Sequence, residues 1–263
     1  MDSGAAHLAN WMVGNPEFNP VLEFTLVGPS IQLEGEGHIC LTGSHFEAKL
    51  DHQRIPQNAT VPIKGSHLLT MGRAEFGCRG YLAVAGSWQL KSWLHSCSTP
   101  AQMGKGIPDD NIIVKGSRFS VFNSKKVPKK SVVKSHPINK LVETIRVLPG
   151  PEYSQFETHS IKEFLGRQFK VGNQSSRMGY RLDTPLSEYN SPIEVISSGV
   201  VPGTIQVTHS GQLIVLMVDA QTTGGYPRIA NVISADFDKL AQMKPGDHLK
   251  FCLVSLKEAF EVF

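Results

Sequence analysis

Apolar positions recur along this chain with two different periods. Over residues 3–14 the spacing is helical: Ala5, Leu8, Ala9, Met12 and Val13 share a face, Ser3 stands where an N-cap would, and Gly14-Asn15-Pro16 ends the run. From there the period drops to two. Leu22, Phe24 and Leu26 alternate with Glu23 and Thr25, and Phe46, Ala48 and Leu50 alternate with Glu47 and Lys49. Turn residues such as Gly28-Pro29 and Asp51-His52 close these runs. Further strands are predicted at 80–85 and 118–122. In the second half a strand over 141–147 runs into Pro149-Gly150-Pro151. Ser160-Ile161-Lys162-Glu163 has the form of a capping box, opening a helix with Ile161, Phe164 and Leu165 on one face and Gly166 at its end. Strands follow at 168–171, 178–182, 204–207 and 213–218. A helix begins after Ser234, where Asp236 and Asp238 complement its dipole, and a strand over 248–254 closes the unit after Pro245-Gly246-Asp247. Strands this short and frequent, with few helices, predict a mainly β protein of closed or sandwiched antiparallel sheets.

Residues 124–139 break the pattern. They hold Lys125, Lys126, Lys129, Lys130 and Lys134 with Pro128 and Pro137, and little apolar periodicity. No aromatic or arginine is interleaved for stacking or bidentate phosphate contact, so a solvated linker is expected rather than a polyanion patch. The chain then divides into 1–123, a linker over 124–139, and 140–263.

Composition narrows the class. With 40% hydrophobic and 19% charged residues over 263 positions, a packed core is expected. A net charge of +3, scattered along the chain, argues against nucleic acid as a partner. Cys40, Cys78, Cys97 and Cys252 form no CxxC pair, which predicts a reduced, cytoplasmic setting. The start, MDSGAAHLAN, has neither a basic nor an apolar leader region, and the apolar run 213–218 is far short of the ~20 residues of a membrane span, so no membrane association is expected. Several motifs are missing. Gly104-Lys105 is followed by Gly106 rather than Ser or Thr, so there is no standard P-loop; HExxH, GxSxG and GxGxxG are absent too. Without an Ala-Met-Lys-Met stretch, no covalent biotin is expected on this chain. His38/Cys40 and His95/Cys97 would each share a strand face and together offer a zinc tetrad. The plainer reading makes Cys40 a small core residue, and no metal is assigned.

Candidate chemistry gathers in two places. In SGVVPGTIQVTHSGQLIVLMVDAQTTGGYPRIANV (198–232), an apolar strand delivers Asp219 to a loop of Gln221, Thr222, Thr223, Gly224, Gly225 and Tyr226. Gly224-Gly225 permits positive φ and close backbone approach, so its N–H groups could form an anion nest. Asp219 at a buried strand end could act as a base or accept an amide N–H. On chemistry alone, a tight turn capped by Asp219 and a functional site fit equally well. The second place is Ser175-Ser176-Arg177-Met178-Gly179-Tyr180-Arg181-Leu182. Arg177 and Arg181 would share one face of an extended strand and could hold a carboxylate or phosphate, surface arginines on a β-edge being the plainer alternative.

These segments carry a resemblance. SSRMGYRL, SSGVVPGTIQV, DAQTTGGYPRIANVISAD and KPGD, preceded by IRVLPGPE (145–152), are similar in content and order to the C-terminal half of the allophanate hydrolase subunit 2, or biotin-dependent carboxyltransferase-like, family. HLANWMVGNP, LEFTLVGPSI, CLTGSHFEAKLDHQRIP and RGYLAVAG resemble its first half, with departures. The family's upstream strand and TVQDxGR-like segment have no counterpart before Met1, so the first barrel is expected to be incomplete at its N-terminus. The family's Gly-Ser-Arg-Ser-Thr reads His95-Ser96-Cys97-Ser98-Thr99 here, and the Gly-rich stretch after it is reduced to residues 102–106. The resemblance implies two cyclophilin-like β-barrel halves. It implies work as the C component of an ATP-dependent 5-oxoprolinase, opening 5-oxoproline to glutamate with ATP bound in a complex that also contains B-like and A-like 5-oxoprolinase subunits. Asp219 and Arg177 would then be catalytic, and Arg181 with the 221–226 loop would bind substrate. The alternatives it leaves are a carboxyltransferase component acting on urea or a related amide, and a non-catalytic binder of the sister protein.

Overall fold

A computed structural model describes residues 1–98, 113–122, 142–187, 189 and 193–262. The expected linker, 124–139, and the stretch 102–106 lie outside the described residues. The chain forms two compact units, Ser3–Pro137 and Ile138–Phe263, the latter joined by Met1–Asp2. Met1 packs on the core of that second unit, and Gln242 Nε2 donates a 2.6 Å hydrogen bond to the buried Asp2 carboxylate.

The first unit opens with helix α1, Ser3–Met12, which starts at Ser3 itself rather than using it as a cap. Its strands are β1 (Leu22–Thr25), β2 (Ser30–Leu50), β3 (Gln53–Arg54), β4 (Val61–Val84), β5 (Ser87–Trp88) and β6 (Val121–Phe122). The main sheet runs β1-β4-β2-β3, with β5 and β6 paired apart. The expected strand over 80–85 is the last part of the much longer β4, and that over 118–122 shrinks to β6. Strands of this length must bend. Ile39 pairs with both Val61 and Val84, while Leu69 pairs with both Ile31 and Leu50, so each long strand has both edges occupied near its bend and the sheet curls on itself. Register shifts mark the bends. At one of them Gly43 has a φ of +85°, and a Cβ there would lie 2.4 Å from the Arg79 carbonyl oxygen, which only glycine avoids. Phe24, Leu41, Phe46, Leu69 and Leu82 fill one face, with Phe24 and Phe46 edge to face at 4.9 Å. On the other face Cys40, Tyr81 and Ala83 receive Ala9 and Met12 of α1 and Val13 just after it. Burial pushes the Cys40 thiol up to about 12, against a smaller opposing effect of its hydrogen bond with the Ala59 backbone.

The second unit contains β7 (Val142–Pro149), a 3-10 turn at Tyr153–Gln155, α2 (Thr158–Gly166), β8 (Phe169–Lys170), β9 (Gly179–Arg181), β10 (Ser198–Gly199), β11 (Thr204–Val207), β12 (Leu213–Leu216), β13 (Thr223–Gly224), β14 (Arg228–Val232), α3 (Ser234–Ala241), β15 (His248–Leu253) and α4 (Leu256–Glu261). Seven strands form one sheet in the order β8-β15-β7-β14-β11-β12-β9, while β10 and β13 make a separate ribbon. The two ends of the sheet meet. Gly172 N–H donates to the Arg181 carbonyl at 2.7 Å, Asp183 N–H donates to that of Lys170 at 2.9 Å, and Val171 bridges Leu182. This seam closes the sheet into a barrel and leaves no free edge there. The core includes Ile145, Val147, Phe164, Phe169, Tyr180, Ile205, Val215 and Phe251. Phe164 of α2 stacks on Phe251 at 4.6 Å, and Tyr180 Oη donates to the Met243 carbonyl at 3.0 Å.

Helix starts differ from expectation, α3 beginning at Ser234 itself. The box at Ser160 is not an N-terminus: α2 begins two residues earlier, Ser160 is buried within it, and Glu163 accepts from Ser187 and Arg167 instead. The same four-residue grammar does operate at Ser255-Leu256-Lys257-Glu258, where both halves of a capping box open α4. The pair Asp236–Arg146 fastens α3 to β7. The fully buried carboxylate accepts from Arg146 N at 2.8 Å, Nε at 2.9 Å and Nη2 at 2.6 Å, and from Lys239 Nζ at 2.7 Å.

Burial opposes the charge on Asp236, yet the hydrogen bonds from Arg146 and Lys239 outweigh it and lower the pKa from 3.8 to about 2. A carboxyl depressed in the folded state adds stability that is complete above its ordinary pKa and vanishes as pH falls through the folded value. Urea unfolding should therefore show a decline in stability from about pH 4 towards pH 2 that is shallower in Asp236→Asn. At neutral pH the variant should lose about 1.5–3 kcal/mol, the range for hydrogen bonds to a charged group. A second expectation concerns the seam. A Cβ on Gly172 would lie 2.3 Å from Asp183 Oδ1 and 2.7 Å from the Arg181 carbonyl oxygen. Gly172→Ala should cost about 1–3 kcal/mol by overpacking, with faster hydrogen exchange at the Gly172 and Asp183 amides; exchange unchanged there would mean that the seam does not carry the closure.

Candidate functional site at the end of the β9–β12 pair

Beyond the ladder of β9 and β12, where Gly179 faces Leu216, the two chains stay together for two further backbone bonds. Met217 N–H donates to Met178 O at 3.0 Å, and Asp219 N–H donates to Arg177 O at 2.9 Å. A turn closed by Ala220 N–H on Met217 O then presents the Asp219 side chain. Arg177 meets it as a fork: Nε to Oδ2 at 2.7 Å and Nη2 to Oδ1 at 3.1 Å. A carboxylate or phosphate was the expected partner for the arginines, and Arg177 does engage a carboxylate, that of Asp219. The pair is half-open, with 36% of the Arg177 side chain and 24% of the Asp219 side chain exposed, so Asp219 is not at a buried strand end. Arg181 has a different partner. It lies on β9, exposed, and its Nη1 donates to Gln212 Oε1 at 3.2 Å. The expectation that both arginines share a strand face fails for a local reason: the backbone turns before Gly179, with Ser176 N–H bonded to Gly179 O, so the two-residue alternation never reaches Arg177.

The loop that follows Asp219 is held from below. Gln221, Thr222 and Thr223 are exposed, and Thr223 and Gly224 pair with Gly199 and Ser198 in the β10–β13 ribbon. Neither Gly224 nor Gly225 adopts a positive φ, so the expected nest is not formed. Close approach is what Gly224 provides. A Cβ at 224 would lie 2.4 Å from Nε2 of Gln206, a β11 side chain only 1% exposed. Gln221 Nε2 reaches Gln206 Oε1 at 3.5 Å, and Tyr226 packs edge-on against His209 at 5.6 Å.

Four residues that sequence reasoning did not single out support this loop. Glu152 accepts from Arg228 N at 2.9 Å, Nε at 2.8 Å and Nη2 at 2.6 Å, and Arg228 Nη1 donates to the Gly199 carbonyl at 3.0 Å. The hydrogen bonds from Arg228 hold the Glu152 carboxyl below its ordinary pKa. Gln206 and Ser198 complete the set, on β11 and β10. The only signal for Gln206 was a polar residue inside the apolar run Thr204–Val207, which in most strands marks the solvent face; here all four residues are buried. Among the described residues no group of three or more His, Cys, Asp or Glu side chains is arranged to hold a metal ion, and no helix is long and apolar enough to cross a membrane.

A mainly β chain of two barrel-like units, with this strand-end acid–base pair in the second, matches the carboxyltransferase domain family, subdomains A and B, over residues 1–253, and the chain belongs to that family. Among named relatives it is 39% identical to the 5-oxoprolinase C subunit of Escherichia coli over 263 residues, which take in 99% of this chain and 84% of that one. It is 30% identical to urea amidolyase of Saccharomyces cerevisiae, covering 98% of this chain but 15% of that protein. The solved structure of Kluyveromyces lactis urea carboxylase superposes with a TM-score of 0.89 at 26% identity, over 99% of this chain and 25% of that chain.

The two ion pairs should respond differently to mutation. Arg177→Ala and Asp219→Asn should each change unfolding free energy by less than about 1 kcal/mol, as half-open pairs do. Glu152→Gln should cost about 1.5–3 kcal/mol, because its pair is 14% and 10% exposed and includes three hydrogen bonds. Equal costs in parallel urea titrations would show that Arg177–Asp219 is a structural clamp.

Proposed function

We propose that the chain is the C component of an ATP-dependent 5-oxoprolinase, opening 5-oxoproline to L-glutamate in a complex with B-like and A-like 5-oxoprolinase subunits. The observation that carries this reading is the 39% identity to the Escherichia coli C component, which runs through nearly the whole of this chain and 84% of that one. The shared family with urea amidolyase is consistent with it, since both names denote chemistry on a small amide.

In this reading Asp219 accepts the lactam N–H. A carboxylate offers roughly four acceptor positions; Arg177 takes two of them, leaves the others free and fixes the plane of the group. The guanidinium also puts positive charge beside any negative charge that develops on the substrate. Arg181, Gln221, Thr222, Thr223, Gly224, Gly225 and Tyr226 form the proposed substrate-binding surface. ATP is assigned to the complex. At the 221–226 loop the Gly224-Gly225 backbone makes no positive-φ nest for a phosphate, and the nearby Arg177 already engages a carboxylate. No biotin attachment is assigned to this chain.

The test is reconstitution. The chain, co-purified with its B-like and A-like partners, should release glutamate from 5-oxoproline in step with phosphate from ATP. Asp219→Asn should lower that rate by about 10²–10³-fold, the usual loss on removing one preorganised electrostatic group, with the complex intact on size exclusion. A complex that carboxylates urea with carboxybiotin and leaves 5-oxoproline untouched would replace this reading with the carboxyltransferase one. Assembly without turnover of either substrate would make the chain a regulatory binder.

A further inference from the structure

Two polar atoms in the second unit, Gln206 Nε2 and Ser198 Oγ, are buried and have no hydrogen-bond partner among the described residues. Buried donors are rarely left in this state, and each such case calls for an explanation. The two are neighbours. Ser198 is paired directly with Gly224 in the β10–β13 ribbon, so its side chain emerges on the same ribbon face as the Cβ that Gly224 lacks. Gln206 Nε2 occupies that same face, 2.4 Å from the position such a Cβ would take. The unmatched amide and the unmatched hydroxyl therefore converge beside Gly224.

Their surroundings hold them ready. Gln221 occupies Gln206 Oε1, which leaves the NH₂ end of the amide as the unmatched one. Glu152, through Arg228, ties down the Gly199 carbonyl and with it β10. The ribbon over the pair is thin. It spans two residues per strand, with exposed Ser197, Thr223 and Gly225 along it, so a small molecule needs to displace little to arrive.

We infer that Gln206 and Ser198 form a subsite that binds the carbonyl oxygen of a small amide or lactam beside Gly224. Both groups are donors, and an amide carbonyl with two lone pairs can accept from both. Both are neutral, which selects against a carboxylate, since a buried anion needs a charged partner. The assignment deepens the proposed function and rests on this chain handling an amide substrate, although it does not depend on which amide.

Equilibrium dialysis of the assembled complex against three labelled probes separates the possibilities: 5-oxoproline, urea, and proline, which has the ring and carboxylate of 5-oxoproline but no lactam carbonyl. Ser198→Ala, a one-atom deletion, should loosen 5-oxoproline about three- to tenfold, the worth of one neutral hydrogen bond. Gln206→Leu should loosen it at least as much, and neither variant should alter the weaker retention of proline. Ser198→Ala keeps the test alive should Gln206→Leu fail to fold. Variants that bind 5-oxoproline as tightly as the parent overturn the subsite and leave the proposed function standing. Urea weakened by both variants, with 5-oxoproline not bound at all, upholds the subsite and removes the 5-oxoprolinase reading. Equal loosening of proline and 5-oxoproline, or binding of neither amide, also overturns the subsite.

Discussion

Closure of the second barrel is the constraint on which the geometry of its candidate site depends. A seven-stranded sheet with two open edges would leave β9 free to fray, because that strand has only three residues and one sheet neighbour, β12. The seam through Gly172, Arg181, Lys170 and Asp183 gives β9 a second neighbour and so fixes its register against β12. Register is what sets Arg177 opposite Asp219. A slip of one residue would turn the side chains of β9 to the other face, taking Tyr180 out of the core. The site is thus only as rigid as a seam of two backbone hydrogen bonds and one bridge.

The polar residues of this unit divide by burial into two kinds of work. Asp236–Arg146 and Glu152–Arg228 are shielded, share several hydrogen bonds each, and join elements far apart in sequence. Arg177–Asp219 is half-open and joins two strand ends that the backbone already holds together. A half-open pair of that sort contributes little to stability in general, and perturbable charges at such places are candidates for meeting a ligand. Glu152 and Arg228 act one step back, by anchoring the ribbon on which Gly224 lies.

Much of the β architecture was legible because period-two alternation survives wherever one face is buried, as at Phe46 and Ala48. Lengths were not legible. The bends in β2 and β4 arise from bulges and from glycines such as Gly43, which a linear pattern reads as strand ends. The capping boxes show a second limit. Ser160-Ile161-Lys162-Glu163 and Ser255-Leu256-Lys257-Glu258 are equivalent in pattern, yet only the latter caps a helix, because tertiary packing buries Ser160 inside α2 and draws Glu163 to Ser187 and Arg167. At the candidate site the residue types of Asp219, Arg177 and the 221–226 loop stood out. Their connections did not: that Arg177 grips Asp219, that Arg181 serves Gln212, and that Gly224 makes way for Gln206 are facts of three-dimensional neighbourhood.

An inner strand of the second barrel, β7, leaves the ribosome before every other strand of its sheet, yet its neighbours β14 and β15 lie about eighty and about a hundred residues further along. One of the two, β15, runs parallel to it, a pairing that no tight hairpin can supply. Throughout that interval the apolar side chains of β7 and both of its hydrogen-bonding edges wait without their final partners. Long-range pairing of this kind slows folding and exposes nascent chains to aggregation. During synthesis the barrel's first strand is therefore among its last to be paired.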